Sequence, residues 1–136
     1  MNKISVVISA YNEENNIKDC LDSVRDLAGE IVVVDNSSTD KTSEVAKKLG
    51  AKIIRHRRTD YVEPARNFAI SKALGDWILV LDPDEEIPTS LADRLKRIAS
   101  KMKQIDYVRI PRKNIIFGKW MKATGWWPDL NVRFFK

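Results

Sequence analysis

The sequence of 136 residues contains one cysteine, Cys20, and one histidine, His56. A lone cysteine excludes an internal disulfide and cannot by itself build a zinc site. It falls on the apolar stripe of a predicted helix, where a free thiol reads as a small core residue. His56 sits within Arg55-His56-Arg57-Arg58 with no partner histidine, so this cluster reads as a solvated basic face rather than a metal site. No stretch approaches the roughly 18 consecutive apolar residues that would cross a bilayer. No signal-peptide pattern precedes the first strand, and a cytoplasmic location is the expectation. Glycine is scarce, with five residues, and no glycine-rich phosphate loop follows any strand. That disfavours a P-loop kinase and a dinucleotide-dependent dehydrogenase. No internal repeat, linker or low-complexity segment is present.

What the chain does have is an alternation of short apolar runs and amphipathic stretches. Ile4–Ala10 is β-branched and almost unbroken, the signature of a strand covered on both faces. After the polar turn 11–15, Ile17, Cys20, Leu21, Val24 and Leu27 recur at helical spacing until Gly29. Ile31–Val34 is a second buried strand ending on Asp35. N-cap candidates at 36–40 then lead into a helix with Val45, Ala46 and Leu49 inward. Residues 51–55 form a third, more exposed strand, followed by a helix through Ala65, Phe68, Ala69, Ala73 and Leu74. Trp77–Leu81 is the fourth strand. Pro88 opens a further helix with Leu91, Leu95, Ile98 and Met102 on one face. This order predicts an α/β fold, a mostly parallel sheet with helices on both sides. Beyond Asp106, residues 107–110 and 114–117 read as strands around Pro111 with no intervening helix, so an antiparallel addition at the sheet edge is expected. By length the chain is one domain.

Ligands of open α/β sheets bind beyond the carboxyl ends of the strands. That rim receives Tyr11, Asn12 and Glu13 from strand one, Asp35, Asn36 and Ser37 from strand two, and Asp82 and Asp84 from strand four. Carboxylates gathered at strand tips repel one another unless a cation or hydrogen-bond donors join them. Asp82-Pro83-Asp84 could offer oxygen ligands to Mg2+ or Mn2+ while leaving positions open for diphosphate oxygens. Proline between them fixes the local backbone. The same residues could equally be solvated turn carboxylates ahead of a helix. The formal charge of +5 suits an anionic small molecule or an acidic membrane surface. A nucleic-acid-binding module is contradicted by the acidic rim.

Residues 6–14, 31–42, 65–67 and 77–85 resemble, in order, four signature blocks of the family-2 glycosyltransferases of the GT-A (Rossmann-like) fold. The resemblance implies that Ser9, Ala10, Tyr11, Glu13 and Asp35 contact the nucleotide of a nucleoside-diphosphate sugar, carrying UDP ahead of GDP. It puts Arg66 beside the base or diphosphate and Asp82 at the ribose or metal, with Asp84 as principal ligand of Mn2+ or Mg2+. Residues 125–135 resemble a later block of bacterial members that build lipopolysaccharide cores and surface glycans, making Asp129 the candidate general base. Glu85 and Glu86 compete for that role; their alternative is to favour a helix N-terminus. Trp126 and Trp127 read as sheet packing, as a sugar-stacking platform, or as interfacial anchors with Lys119, Trp120 and Lys122.

The expectation is therefore a metal-dependent, inverting glycosyltransferase acting on a glycan or lipid-linked acceptor, with peripheral contact at the inner membrane face. Residues 1–105 would be the donor-binding core and residues 106–136 the start of an acceptor side that stops short at Lys136. The other expectation is a non-catalytic nucleotide-sugar-binding module.

Overall fold

The computed structural model describes residues 3–113, 115–116, 119–120 and 129–136. In chain order the elements are β1 (Ile4–Ala10), α1 (Ile17–Val24), β2 (Glu30–Asp35), α2 (Thr42–Lys48), β3 (Lys52–Arg55), α3 (Glu63–Ser71), β4 (Trp77–Leu81), α4 (Thr89–Lys101), β5 (Tyr107–Arg112), β6 (Ile115–Ile116), β7 (Lys119–Trp120) and β8 (Asp129–Phe135). Six strands form one sheet in the order β3-β2-β1-β4-β8-β5. The four strands from β3 to β4 are parallel, and β8 runs antiparallel to both β4 and β5. This is the expected α/β architecture with an antiparallel edge.

The composition of that edge differs from the expectation. Ile115 and Ile116 do not extend the main sheet but pair with Trp120 and Lys119 in a separate two-stranded sheet. The strand that joins β5 to the sheet is β8, inserted between β4 and β5. Pro111 lies on β5, where the outer side of the strand has no ladder to complete and a missing N–H costs little. The insertion is secured by Phe134, fully buried and stacked on Trp77 with ring centroids 4.6 Å apart. Burying such a ring stabilises by about 1.5–3 kcal/mol, and the stacked geometry adds about 0.5–1.5 kcal/mol.

The period-two alternation of the strands divides the core in two. Val6, Ile8 and Ala10 of β1, Val33 of β2, and Leu79 and Leu81 of β4 face α1, α2 and α4. Val7, Val32, Val34 and Val80 face α3, represented by Ala69 with Phe68 and Ile70. Helix α1 presents Ile17, Cys20, Leu21 and Val24 to the first layer, the stripe read from its spacing. Helix α4 presents Leu95, Ile98 and Ala99, while Met102 falls just past its end and is exposed. Glycine is required at position 75, because a Cβ there would stand 2.7 Å from the Lys3 carbonyl oxygen and from Ser5 Oγ. Gly75 N–H donates to that same Ser5 hydroxyl at 2.8 Å, which closes the α3–β4 connection against β1.

Candidate functional site

Strand parity decides which rim residues share a cleft. Counting on from Val7 on β1, Val32 and Val34 on β2 and Val80 on β4, the next residues on the α3 side are Ser9, Asn36 and Asp82. These three line a cleft of about 370 Å³, together with Tyr11, Glu13, Ala65, Arg66, Pro83, Asp84 and the loop residues 58–62. Ala10 and Asp35 have the opposite parity. Ala10 is buried in the other core layer, and Asp35 is fully buried. The Asp35 carboxylate accepts the Ser38 N–H at 3.0 Å and the hydroxyl of Ser43 on α2. Neither Ala10 nor Asp35 is among the residues that line this cleft. Asp35 instead braces the turn that carries Asn36.

Two residues in these turns hold left-handed backbone, Asn12 at φ 50° and Ser37 at φ 63°. Such non-glycine conformations persist only where surrounding bonds over-determine them, and those bonds are present. Asn12 N–H donates to Ser38 Oγ at 2.9 Å, while Asn12 Oδ1 accepts the Thr39 N–H at 2.8 Å. Ser37 Oγ donates to the His56 carbonyl at 2.9 Å. The turns after β1, β2 and β3 are thus stitched into one wall. Asn36 Nδ2 donates to Ser9 Oγ at 2.8 Å and to the Ala10 carbonyl at 3.2 Å. Its Oδ1 is buried without a hydrogen-bond partner among the described residues. A buried acceptor left unpaired costs about 1–3 kcal/mol.

The opposite wall is an ion cluster. Arg66 of α3 donates to Asp82 Oδ1 at 2.7 Å. Arg112 of β5 and Arg133 of β8 reach Asp82 Oδ2 at 3.1 Å and 3.5 Å. The same two arginines contact Glu85 at 3.5 Å and 3.2 Å, and Glu85 Oε1 also accepts the Asp82 backbone N–H at 2.8 Å. Burial works to raise the Asp82 carboxyl, but Arg133, Glu85 and Arg66 together hold it below the ordinary 3.8. Burial is also the largest influence on Glu85 and leaves its carboxyl above the ordinary 4.5 despite Arg133. Of two neighbouring carboxylates, Asp82 keeps its charge the more firmly. Glu85 braces the loop and precedes α4 by several residues, so it is not a helix-terminal charge. Asp84 is exposed and stands outside the cluster.

Four carboxylates line the cleft (Glu13, Asp60, Asp82 and Asp84) against the two guanidiniums of Arg58 and Arg66. Among the described residues no group of three or more His, Cys, Asp or Glu could hold a metal. Mg2+ and Mn2+, however, are commonly held by one or two carboxylates plus substrate phosphates. An exposed carboxylate lining an acidic cleft, as Asp84 is, is compatible with that mode. Asp82 pairs with three arginines.

Sequence reasoning brought Asn36 to the rim without giving it a role, although counting alternate residues from Val32 would have turned it into the cleft. Arg58 is exposed, as expected of the basic cluster, and there it lies over the Tyr11 ring at 4.1 Å and donates to the Tyr11 hydroxyl at 3.0 Å. Arg112 carried no local signal, and Arg133 only its place in the 125–135 block. The side chain of Asp129, with Lys122, Trp126 and Trp127, lies outside the described residues. Lys119 and Trp120 are exposed, with the Lys113 ammonium 4.2 Å from the Trp120 ring. Among the described residues no helix is long and apolar enough to cross a membrane.

Comparison with known proteins gives this geometry a context. The model of the family described as glycosyl transferase family 2 matches residues 5–135. An uncharacterized glycosyltransferase of Rickettsia typhi is 37% identical over 131 residues, covering 96% of this chain and 44% of that protein. Among solved structures, TarS 1-349 of S. aureus superposes with a TM-score of 0.72 at 26% identity, covering 89% of this chain and 38% of that one. Glucosyl-3-phosphoglycerate synthase from Mycobacterium tuberculosis, in complex with Mn2+, UDP and glucosyl-3-phosphoglycerate, gives a TM-score of 0.64 at 25% identity, covering 79% of this chain and 43% of that one. The chain spans less than half the length of each of these relatives.

Proposed function

We propose, from the premise that this chain belongs to glycosyl transferase family 2, that it is the donor-binding part of a metal-dependent enzyme using a nucleoside-diphosphate sugar. The observation that carries this reading is the cleft itself. Asn36, whose buried Oδ1 has no hydrogen-bond partner among the described residues, lines it together with Tyr11, Arg66 and the exposed Asp84. An imide N–H of uracil or guanine would satisfy Asn36 Oδ1. Ser9 orients the Asn36 amide, and the Tyr11 ring offers a stacking face to the base.

Arg66, held by Asp82, is proposed to meet the diphosphate. A cleft with net negative lining admits a diphosphate more readily with a counter-cation. Asp84 would hold that cation, which as a Lewis acid would neutralise the departing diphosphate. The transfer itself is proposed to invert the anomeric carbon. With Glu85 engaged by Arg112 and Arg133, deprotonation of the acceptor hydroxyl is assigned to Asp129. The acceptor is proposed to be a glycan or lipid-linked saccharide at the inner face of the membrane, toward which the basic net charge would draw the protein.

Calorimetric titration with UDP and GDP, with and without Mn2+, tests the donor site. Binding strengthened by Mn2+ is expected, with that enhancement lost in Asp84→Asn and the metal-free affinity retained. Asn36→Ala should weaken binding about tenfold. Failure of both nucleotides to bind in the presence of Mn2+ would sink the reading.

A further inference from the structure

The two guanidiniums that line the cleft are not in equivalent states. Arg66 has a carboxylate partner, Asp82, at 2.7 Å. Arg58 has a neutral one: its guanidinium lies 4.1 Å from the Tyr11 ring centroid and donates to the Tyr11 hydroxyl at 3.0 Å. No carboxylate pairs with Arg58 among the described residues, although Asp60 lines the same cleft two residues away. Cation–π contacts at exposed sites are weak, whereas guanidinium–phosphate bonds are charge-assisted and frequently bidentate.

The segment carrying Arg58 is built to permit a change of partner. Its root is fixed, since His56 N–H donates to the Asp35 carbonyl at 2.9 Å and the His56 ring packs on Phe68 at 4.9 Å. Its far end enters α3 at Glu63. Between those anchors residues 58–62 line the cleft outside any regular element, and Arg58 itself is exposed. The face of Tyr11 on which the guanidinium rests is also a surface on which a planar base could stack.

We infer that Arg58 is a donor-binding side chain with two positions: resting on Tyr11 when the cleft is empty, and drawn onto the diphosphate when a nucleotide enters, which clears Tyr11 for the base. This rests on the donor-site reading above and adds a specificity element to it. Arg58 favours nucleoside diphosphates over nucleosides twice, by attracting the phosphates and by covering the stacking face against a ligand that lacks them. The loop thereby couples base stacking to phosphate recognition.

The test compares wild type, Arg58→Ala and Arg58→Lys in NMR titrations with uridine, guanosine, UDP and GDP, the diphosphates with Mn2+. Arg58 is exposed, so neither substitution threatens the fold. Arg58→Ala is expected to weaken UDP or GDP binding by about tenfold or more and to reduce its salt dependence. Nucleoside affinity should be unchanged or raised. Arg58→Lys should recover part of the diphosphate affinity and none of the cover over Tyr11. The inference is overturned if Arg58→Ala weakens nucleoside and diphosphate by the same factor, since Arg58 would then be a cap on the base. Unchanged diphosphate binding in Arg58→Ala would overturn it as well. Absence of diphosphate binding by wild type would instead sink the donor-site reading beneath it.

Discussion

Replacing Arg133 by methionine should separate the fold of the parallel sheet from the presentation of Asp84. The Arg133 side chain is 11% exposed and contacts Asp82 at 3.5 Å and Glu85 at 3.2 Å. Methionine keeps the length of the stem and removes only the guanidinium. Two carboxylates, 28% and 21% exposed, would then share Arg66 and Arg112, with one cation fewer. Removing one member of a fully buried pair costs about 3–5 kcal/mol, and one hydrogen bond to a charged group contributes about 1.5–3 kcal/mol. Residual solvent at the carboxylates places the expected loss between these, at about 2–4 kcal/mol, or a fall in Tm on the order of 10 °C. Urea denaturation of wild type, Arg133→Met, Glu85→Gln and the double variant measures it. The double variant should be more stable than Arg133→Met alone, because the orphaned charge is gone. In Arg133→Met, Mn2+-dependent nucleotide binding should weaken even below the unfolding transition, as the loop from Asp82 to Asp84 loses a brace. A loss of less than about 0.5 kcal/mol, the level of an ordinary surface change, would refute the view that this cluster fastens β8 to the site.

Two further outcomes follow from the ionisation of buried groups. Cys20 is fully inaccessible, and burial, followed by the nearby Glu85, Asp84 and Asp82, pushes its thiol up to about 12. Iodoacetamide at pH 8 should leave it unmodified in the native protein and alkylate it in denaturant, read by mass spectrometry; rapid native labelling would contradict the packing of α1. The depressed Asp82 carboxyl contributes stability that is complete above its unfolded value near 3.8 and is lost as pH falls through its lower folded value. The stability difference between wild type and Asp82→Asn should accordingly be flat from pH 7 to about pH 5 and shrink below about pH 4. A difference that shrinks between pH 7 and 5 would assign the effect to another group.

Much of the architecture was present in local pattern. The β-branched runs fixed β1, β2 and β4, and the three-and-four spacing of Ile17, Cys20, Leu21 and Val24 fixed α1. Strand-end position alone brought Asp82 and Asp84 to the rim, because a parallel sheet delivers every carboxyl end to one edge. The same local rules also contained the facing of Asn36, through its parity with Val32 and Val34.

Tertiary structure decided the rest, and the reason is separation along the chain. Arg58 meets Tyr11 across 47 residues, and Arg133 meets Asp82 across 51. Neither pairing has a periodicity or a turn signal that a one-dimensional reading could detect. The insertion of β8 between β4 and β5 is of the same kind, set by Phe134 finding Trp77 rather than by the propensity of either segment. The sequence by itself thus determined the four helices, the parallel strands and the sheet edge at which the candidate site residues gather. Only packing decided that Asp82 would be held by arginines, that Asp84 would stand free of them, and that Arg58 would lie over Tyr11, because charges choose partners by proximity in space.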